Sequence, residues 1–458
     1  MPSPDLEPDG LPVESAPELA QDQASVPSAD VRKRLSLVYL IAALAGGNLL
    51  SSAFRLAGGL LQARFVDKVT LGTFGGIALV LGWSYYLQLG ICNGLSRELP
   101  YYYGKGDRGK ALELAATART WLASMGALVA CAFLAMAGWH ALRGNSMLAA
   151  GWGAHAVLAI IFFYATLYLQ ATYRTAHDFA RLSTATTLQN AIGLLLVVAV
   201  YAFGFNGLCL RAVISGVAGL AILHLWQPIR VRWQWNFADF RHLLAIGFPI
   251  FLVGEMGSRL WLLIDNTLVS HYLKAGGLGL YSIVGVARDT VEILPLAVGQ
   301  IMYPRMTEHF GRTHDLPSTI TMTIKPSIYL VAGMLPVVAA GWFLAAPLTG
   351  ILLPKYVEAV PAMRWSILLP LVLSFGCVHN VYNICRRQDL YAVIILLSMA
   401  SYAGTLILLS RHGAYLEAFP QALLVGRTVF ILVGYLFLLP VYWSWKKNRA
   451  KTSGDAPA

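Results

Sequence analysis

Charge is what this 458-residue chain has least of: Asp, Glu, Lys and Arg together supply 12% of it, against about 25% in soluble domains. With 57% hydrophobic residues and a mean hydropathy of +0.60, there is too little polar surface to cover a globule in water, which excludes an ordinary soluble domain. Acids are scarcer than bases, 23 against 34. Seven of those acids (Asp5, Glu7, Asp9, Glu14, Glu18, Asp22, Asp30) crowd into the first 30 positions, with six prolines and no Lys or Arg. Such a stretch cannot bury enough apolar surface to fold. It also lacks the basic start, apolar core and small-residue cleavage site of a secretory signal, so residues 1–31 are expected to be a disordered cytoplasmic tail.

Other absences narrow the chemistry. The five cysteines, Cys92, Cys131, Cys209, Cys377 and Cys385, show neither metal-ligand spacing nor a disulfide framework and are assigned to packing. Histidines such as His140, His155, His224, His271, His379 and His412 are scattered, with no HExxH and no carboxylate pair facing a nucleophile. The stretch Gly104 to Ala111, GKGDRGKA, ends in Ala111 where a phosphate-binding loop needs a hydroxyl for Mg²⁺, and it follows an apolar run instead of a buried strand. No cofactor, metal or nucleic acid is expected, and no enzyme activity.

What is present is a series of apolar runs recurring from Leu35 to Trp445, each about 18–25 residues long, enough to cross ~30 Å of hydrocarbon. About twelve spans fit, an all-α polytopic membrane protein: roughly 35–62, 74–100, 114–140, 152–173, 183–203, 208–227, 243–271, 278–303, 322–350, 362–385, 390–410 and 419–444. With the N-terminus cytoplasmic, twenty basic residues fall on the inner side and eight on the outer, the asymmetry expected of a chain with both termini cytoplasmic. The outer connections, Arg211 and Lys274 among their bases, are too short to form a catalytic domain.

The runs also repeat. Arg55 and Arg259 lie 204 positions apart, and the same offset pairs Gly75 with Gly279 and Pro100 with Pro304. A duplicated membrane unit follows, with residues 32–228 as one half, 229–445 as the other and 446–458 as a basic cytoplasmic tail. A charge at mid-depth costs at least ~2.5–3.5 kcal/mol on insertion scales, so two arginines at equivalent points suggest a shared aqueous cavity for an anion. Arg55 has no acid within four positions, Arg427 none at helical spacing, and Arg119 only the distant Glu113; these are the better anion candidates. Arg259 has Glu255 at i−4 and Arg288 has Glu292 at i+4, beside Asp289, spacings that serve an insertion pair or a gate. His379 and Asn380 are candidates for lining the cavity, because polar groups in spans tend to face the bundle interior. Tyr85 and Tyr86 are read as interface anchors, and Tyr164, Tyr168 and Tyr281 as deep enough to stack on sugars.

The stretch from Leu71 to Ala115 and the stretch from Phe240 to Pro295, with Gly247–Phe248–Pro249, Asp265–Asn266 and Gly279–Leu280–Tyr281–Ser282, resemble the polysaccharide transporter branch of the multidrug/oligosaccharidyl-lipid/polysaccharide exporter superfamily. The likeness covers about 400 residues from Leu35 onward and is strongest in those two stretches. It implies two pseudo-symmetric six-helix lobes around a central cavity that opens alternately to each face, an architecture the repeat supports independently. It further implies a flippase in a bacterial inner membrane, moving an oligosaccharide on polyprenyl diphosphate from the cytoplasmic to the periplasmic leaflet for cell-surface polysaccharide synthesis. Membrane lipids, glycosyltransferases and a polymerase of the same pathway are the partners implied. Arg55, Arg259, Arg119, Arg427, His379 and Asn380 would then bind cargo, and Glu255, Asp265, Arg288 and Glu292 would gate or couple. A cation-coupled multidrug exporter of the same superfamily is the alternative, weakened by the near-absence of buried acids expected in spans one to six, where Asp67, Asp107, Glu113 and Asp178 are loop or rim residues. A glycan polymerase or ligase would need the large outer loop this chain lacks.

Overall fold

The computed structural model describes residues 37–452 apart from 177, 258, 314, 385, 386 and 414. The expected tail at 1–31 lies outside the described residues. No strand occurs among those described, as a chain surrounded by lipid requires: a helix satisfies its backbone groups internally, whereas an open sheet edge cannot.

The first lobe comprises α1 (Leu37–Phe65), α2 (Lys68–Ser84), α3 (Ile91–Lys105), α4 (Arg108–Leu142), α5 (Ser146–Ile161), α6 (Gln170–Thr175), α7 (Phe179–Leu195) and α8 (Val197–Leu225). The second comprises α9 (Phe237–Gly257), α10 (Arg259–Thr313), α11 (Leu316–Leu352), α12 (Val360–Leu373), α13 (Val378–Ile384), α14 (Gln388–Leu409) and α15 (Ala418–Thr452). Eight helices are long and apolar enough to cross a membrane among the described residues. Two rods reverse inside their length, α8 at Gly204 and α10 at Lys274, which holds φ 58°. Arg211, expected in an outer loop, instead lies within α8, where its guanidinium donates to the Gly193 carbonyl at 2.6 Å and to the Gln62 side chain.

Three passes expected as plain helices are interrupted. The second is α2, a 3₁₀ turn at Tyr85–Gln88, then Leu89 and Gly90 at φ 54° and 84°, then α3. Gln88 makes the restart possible: its Oε1 accepts from the Cys92 N–H at 3.1 Å, satisfying one of the orphan donors of α3. The fourth pass contains a π segment at Phe162–Leu169 between α5 and α6. The tenth breaks between α12 and α13, just after Pro370, where the Ser374 hydroxyl caps the Pro370 carbonyl at 2.8 Å.

The lobes meet most closely where α2 crosses α10. A Cβ on Gly72 would fall 1.7 Å from the Ala275 carbonyl, and one on Gly279 1.8 Å from that of Lys68. Only glycine permits that approach of two backbones. A core joining Ala63, Val66 and Leu71 to Val284, Tyr356 and Ala359 seals the face bearing residues 66–67. On the opposite face α9 leans on the first lobe, and Leu243 and Phe251 belong to the core built from α3, α4 and the π segment.

Candidate functional site

Between α1 and α10 lies a cavity of about 280 Å³ lined by Ser52, Ala53, Arg55, Leu56, Val286, Asp289, Thr290 and Ile293. Arg55 is exposed there, on a helix with no local acid, and the opposite wall offers Asp289. Arg259 lies outside that lining. It is also exposed, and its guanidinium sits 4.1 Å from the ring centroid of Tyr85 at the break of the second pass. Tyr85 and Asp289 are themselves 204 positions apart. Each arginine therefore addresses the equivalent point on the other lobe, the reciprocal pattern that a two-fold interface imposes.

Behind Asp289 the second lobe holds a buried polar network. Asp265 accepts from the Tyr281 hydroxyl at 2.5 Å and from the Tyr402 hydroxyl at 2.8 Å, so each carboxylate oxygen has a donor. Arg288 donates to Asp289 through Nε at 3.1 Å and Nη2 at 2.9 Å, and stands 3.8 Å from Glu292. Arg427 lies 4.5 Å from the Trp261 ring, and Glu292 and Asp265 are the carboxylates that act on it. Low dielectric strengthens each of these attractions, and loss of any one partner is correspondingly costly.

The other predicted residues are placed differently. Arg119 is committed to the connection between the lobes, donating to the Val231 carbonyl at 2.5 Å with its charge 4.0 Å from the Trp233 ring. His379 is buried in the second lobe, stacked on Phe430 at 3.8 Å, with neither ring nitrogen bonded. Asn380 beside it is half-buried. The side chain of Glu255 lies outside the described residues. Tyr85 is buried at a mid-pass break and is not an interface anchor; Tyr281 is spent on Asp265 and has no face free for a sugar. The sequence carried no signal for Tyr402, and sequence reasoning named Tyr85 and Asp289 without linking them, although the 204-residue offset applied to every polar residue pairs the two.

Contacts between the lobes differ from face to face. At the 66–67 face the Lys68 ammonium meets Glu358 at 2.6 Å, Arg64 donates to the carbonyls of Ile351 and Leu352 at 3.4 and 3.3 Å, and the Tyr356 hydroxyl reaches the Val66 carbonyl at 3.4 Å. At the other face Lys110 meets Asp239 at 2.5 Å, and a ring nitrogen of His242 lies 3.0 Å from Glu98. The bond to Asp239 raises the pKa of the Lys110 ammonium. Among the described residues, no group of three or more His, Cys, Asp or Glu is placed to hold a metal ion.

Comparison with known proteins agrees with the helical, two-lobed fold. Among solved structures, the chain is similar to an inward-facing multidrug resistance MATE family transporter of the MOP superfamily, with TM-score 0.73 and 14% identity over 87% of this chain and 96% of that one. An outward-facing transporter of the same description gives 0.64 and 16% over 90% and 96%. A MOP superfamily transporter from Pyrococcus furiosus Vc1, whose reversed pocket polarity suggested a different function, gives 0.64 and 15% over 89% and 96%. At these identities the likeness is one of fold: two helical lobes facing each other. No curated protein sequence matches the chain. The model of the polysaccharide biosynthesis protein family matches residues 110–361, more than half of the sequence, and the chain belongs to that family.

Proposed function

We propose that this protein is a flippase that carries a polyprenyl-diphosphate-linked oligosaccharide across the bacterial inner membrane, from the cytoplasmic to the periplasmic leaflet, by alternating access. The observation that carries the reading is the reciprocal pair: Arg55 beside a cavity between α1 and α10, and Arg259 over Tyr85, one cation from each lobe at equivalent positions. A diphosphate headgroup crossing hydrocarbon needs cations that are exposed within the protein, and the planar fork of Arg matches phosphate oxygens two at a time. Membership of a polysaccharide biosynthesis family supports a glycan as the rest of the cargo. The polyprenyl tail stays in lipid, and the α1–α10 gap is where headgroup and tail would part company.

The lobes would rock against each other, parting the Gly72–Gly279 crossing and breaking Lys68–Glu358 to open one face, and breaking Lys110–Asp239 to open the other. His379, Asn380, Arg119 and Arg427 move to secondary roles in this reading, and Asp265, Arg288 and Glu292 form the group whose charge state would couple to the cycle. Both termini are assigned to the cytoplasm, with glycosyltransferases and a polymerase of the same pathway as functional partners and no chemistry performed by the chain itself. A cation-coupled multidrug exporter is the second reading, favoured by two buried carboxylates, Asp265 in the second lobe and, against the expectation of almost no buried acid in the first, Glu98 in α3.

The test is transfer of lipid-linked oligosaccharide to the outer leaflet in cells lacking the protein, complemented at matched expression. The flippase reading expects the intermediate to accumulate on the cytoplasmic side and to be cleared by wild type but not by Arg55→Ala. Normal transfer in the null strain, with lost resistance to a cationic drug, would overturn it in favour of the exporter.

A further inference from the structure

The connection between the lobes is built as a surface and not only as a tether. Helix α4 has 35 residues, about 52 Å at 1.5 Å per residue, far more than the ~30 Å of hydrocarbon. Its uncharged stretch runs from Thr120 to Trp139, about 30 Å of rise. Arg119 and Thr120 therefore mark the edge of the hydrocarbon. At that level they fasten the strap: Arg119 donates to the Val231 carbonyl at 2.5 Å and the Thr120 hydroxyl to the Gln234 carbonyl at 2.9 Å. The segment between α8 and α9 is consequently held at headgroup depth, without helix, and with Ile229 buried beneath it.

Its outward side chains have one chemistry. Trp233, Trp235 and Phe237 are 60%, 47% and 67% exposed; Trp settles at a lipid–water boundary, and Phe on the apolar side of segments that lie in it. Arg230 and Arg232 are exposed between them, and no acid occurs from Trp226 to Ala238. Asp239, the first that follows, is buried and occupied by Lys110. Trp235 stacks on Trp121 and Trp233 lies under Arg119, yet about half or more of each ring stays uncovered; a lipid surface covers that remainder and supplies the anions the two arginines lack.

The geometry points to the interlobe strap as a binding site for anionic phospholipid, in which Arg230 and Arg232 take headgroup phosphate while Trp233, Trp235 and Phe237 enter the interface beside it. The site is independent of what the protein transports. It places the ligand on the one segment that joins the two lobes, where the charge of the leaflet would act on their relative position.

The test uses the full chain in nanodiscs of phosphatidylcholine with and without phosphatidylglycerol, followed by native mass spectrometry of the lipid retained. Wild type should keep phosphatidylglycerol in preference to phosphatidylcholine, and Arg230→Gln with Arg232→Gln should lower that preference about five-fold per arginine removed. Arg312→Gln, an exposed arginine elsewhere, should leave it unchanged; an equal fall there would show general charge attraction and overturn the site. The fluorescence lost in Trp233→Phe should be quenched by phospholipid brominated near the headgroup. Quenching by aqueous iodide alone would put the strap in water and also overturn it. Unchanged lipid retention, with loss of a co-purifying acidic protein from the arginine variant, would make the surface a protein docking site and end the proposal.

Discussion

Applied residue by residue, the 204-position offset shows two lobes that share a frame and differ in what it carries. Arg55 and Arg259 are the same residue in both. Around them, the second lobe places Asp265, Arg288, Asp289 and Glu292 where the first has Leu61, Ser84, Tyr85 and Gln88. The backbone differs in the same region: the second pass breaks at Tyr85–Gly90, whereas α10 runs as continuous helix through the equivalent residues. The two facts have one physical root. A helix interrupted in the membrane exposes backbone groups that must be satisfied locally, and Gln88 does this by capping α3. An uninterrupted helix leaves its side chains free, and Arg288 with Asp289 and Glu292 spends them on ion pairs. At these equivalent positions, then, the second lobe carries the charged network and the first carries the backbone break.

The largest effect should come from asking whether the two arginines are functionally as equivalent as they are positionally. Arg55→Ala and Arg259→Ala should each reduce oligosaccharide transfer at least ten-fold while leaving membrane insertion intact, because removing an embedded charge lowers the insertion cost. Arg→Lys at either position should recover only part of the rate, since a point charge cannot reproduce bidentate geometry. A strong loss at Arg55 with none at Arg259 would break the equivalence and leave the α1–α10 cavity as the sole anion contact.

Making the second lobe resemble the first comes next. Asp265→Leu installs the residue type found at position 61, strands the hydroxyls of Tyr281 and Tyr402, and leaves Arg288 and Arg427 in excess. Removing one partner of a buried charged network costs about 3–5 kcal/mol, which thermal unfolding in detergent would register as a large fall in midpoint. Asp265→Asn keeps an acceptor for one tyrosine and should cost less. Equal midpoints for wild type and Asp265→Leu would mean that the network does not hold the lobe together.

The comparison also explains what was legible in the sequence. The membrane class and helical fold follow from hydropathy, because apolar runs of span length have no alternative structure in lipid. The paired arginines follow from the repeat. The break at Leu89 and Gly90 does not, since the residues from Ser84 to Ile91 carry no turn signal beyond a single glycine in an apolar run. Partners contributed by distant segments were equally hidden. Arg119 looked available because its own helix is empty of acids, yet its hydrogen bond goes to a carbonyl 112 residues away. Arg427 looked unpaired for the same reason, until folding brought Glu292 and Asp265 within electrostatic reach. Helical spacing reports only neighbours on one helix, and a membrane bundle neutralises its charges between helices.

The broken pass can be set directly against the continuous one. Gly90 holds φ 84°, and a Cβ there would lie 2.7 Å from the Gly247 carbonyl group, so Gly90→Ala combines left-handed strain with overpacking and should cost about 2 kcal/mol or more. Leu294, its equivalent in α10, is exposed within a helix, and Leu294→Gly should cost only about 1 kcal/mol. Thermal midpoints of the two variants should therefore fall in that order; the reverse order would mean that the irregular pass tolerates change because it is already mobile.

The smallest effect concerns how each pair of passes begins. Asp67 caps α2, accepting from the backbone of Val69 at 3.0 Å and of Thr70 at 3.3 Å, whereas the equivalent turn in the second lobe is closed by the Lys274 ammonium on the His271 carbonyl at 2.9 Å. The bond from the Thr70 hydroxyl, with those backbone donors, holds the Asp67 carboxyl below its ordinary value. A depressed carboxylate contributes stability that is complete above the unfolded value of about 3.9 and fades as pH falls through the lower folded value. Asp67→Ala should remove roughly 1 kcal/mol at neutral pH, and the gap between variant and wild type should narrow only in strong acid. Lys274→Met should lower stability by a similar or smaller amount with no acid dependence, because its partner is a backbone carbonyl and no carboxylate takes part in the contact. An acid-sensitive gap at Lys274 instead would mean that the two turns are held by the same kind of contact after all.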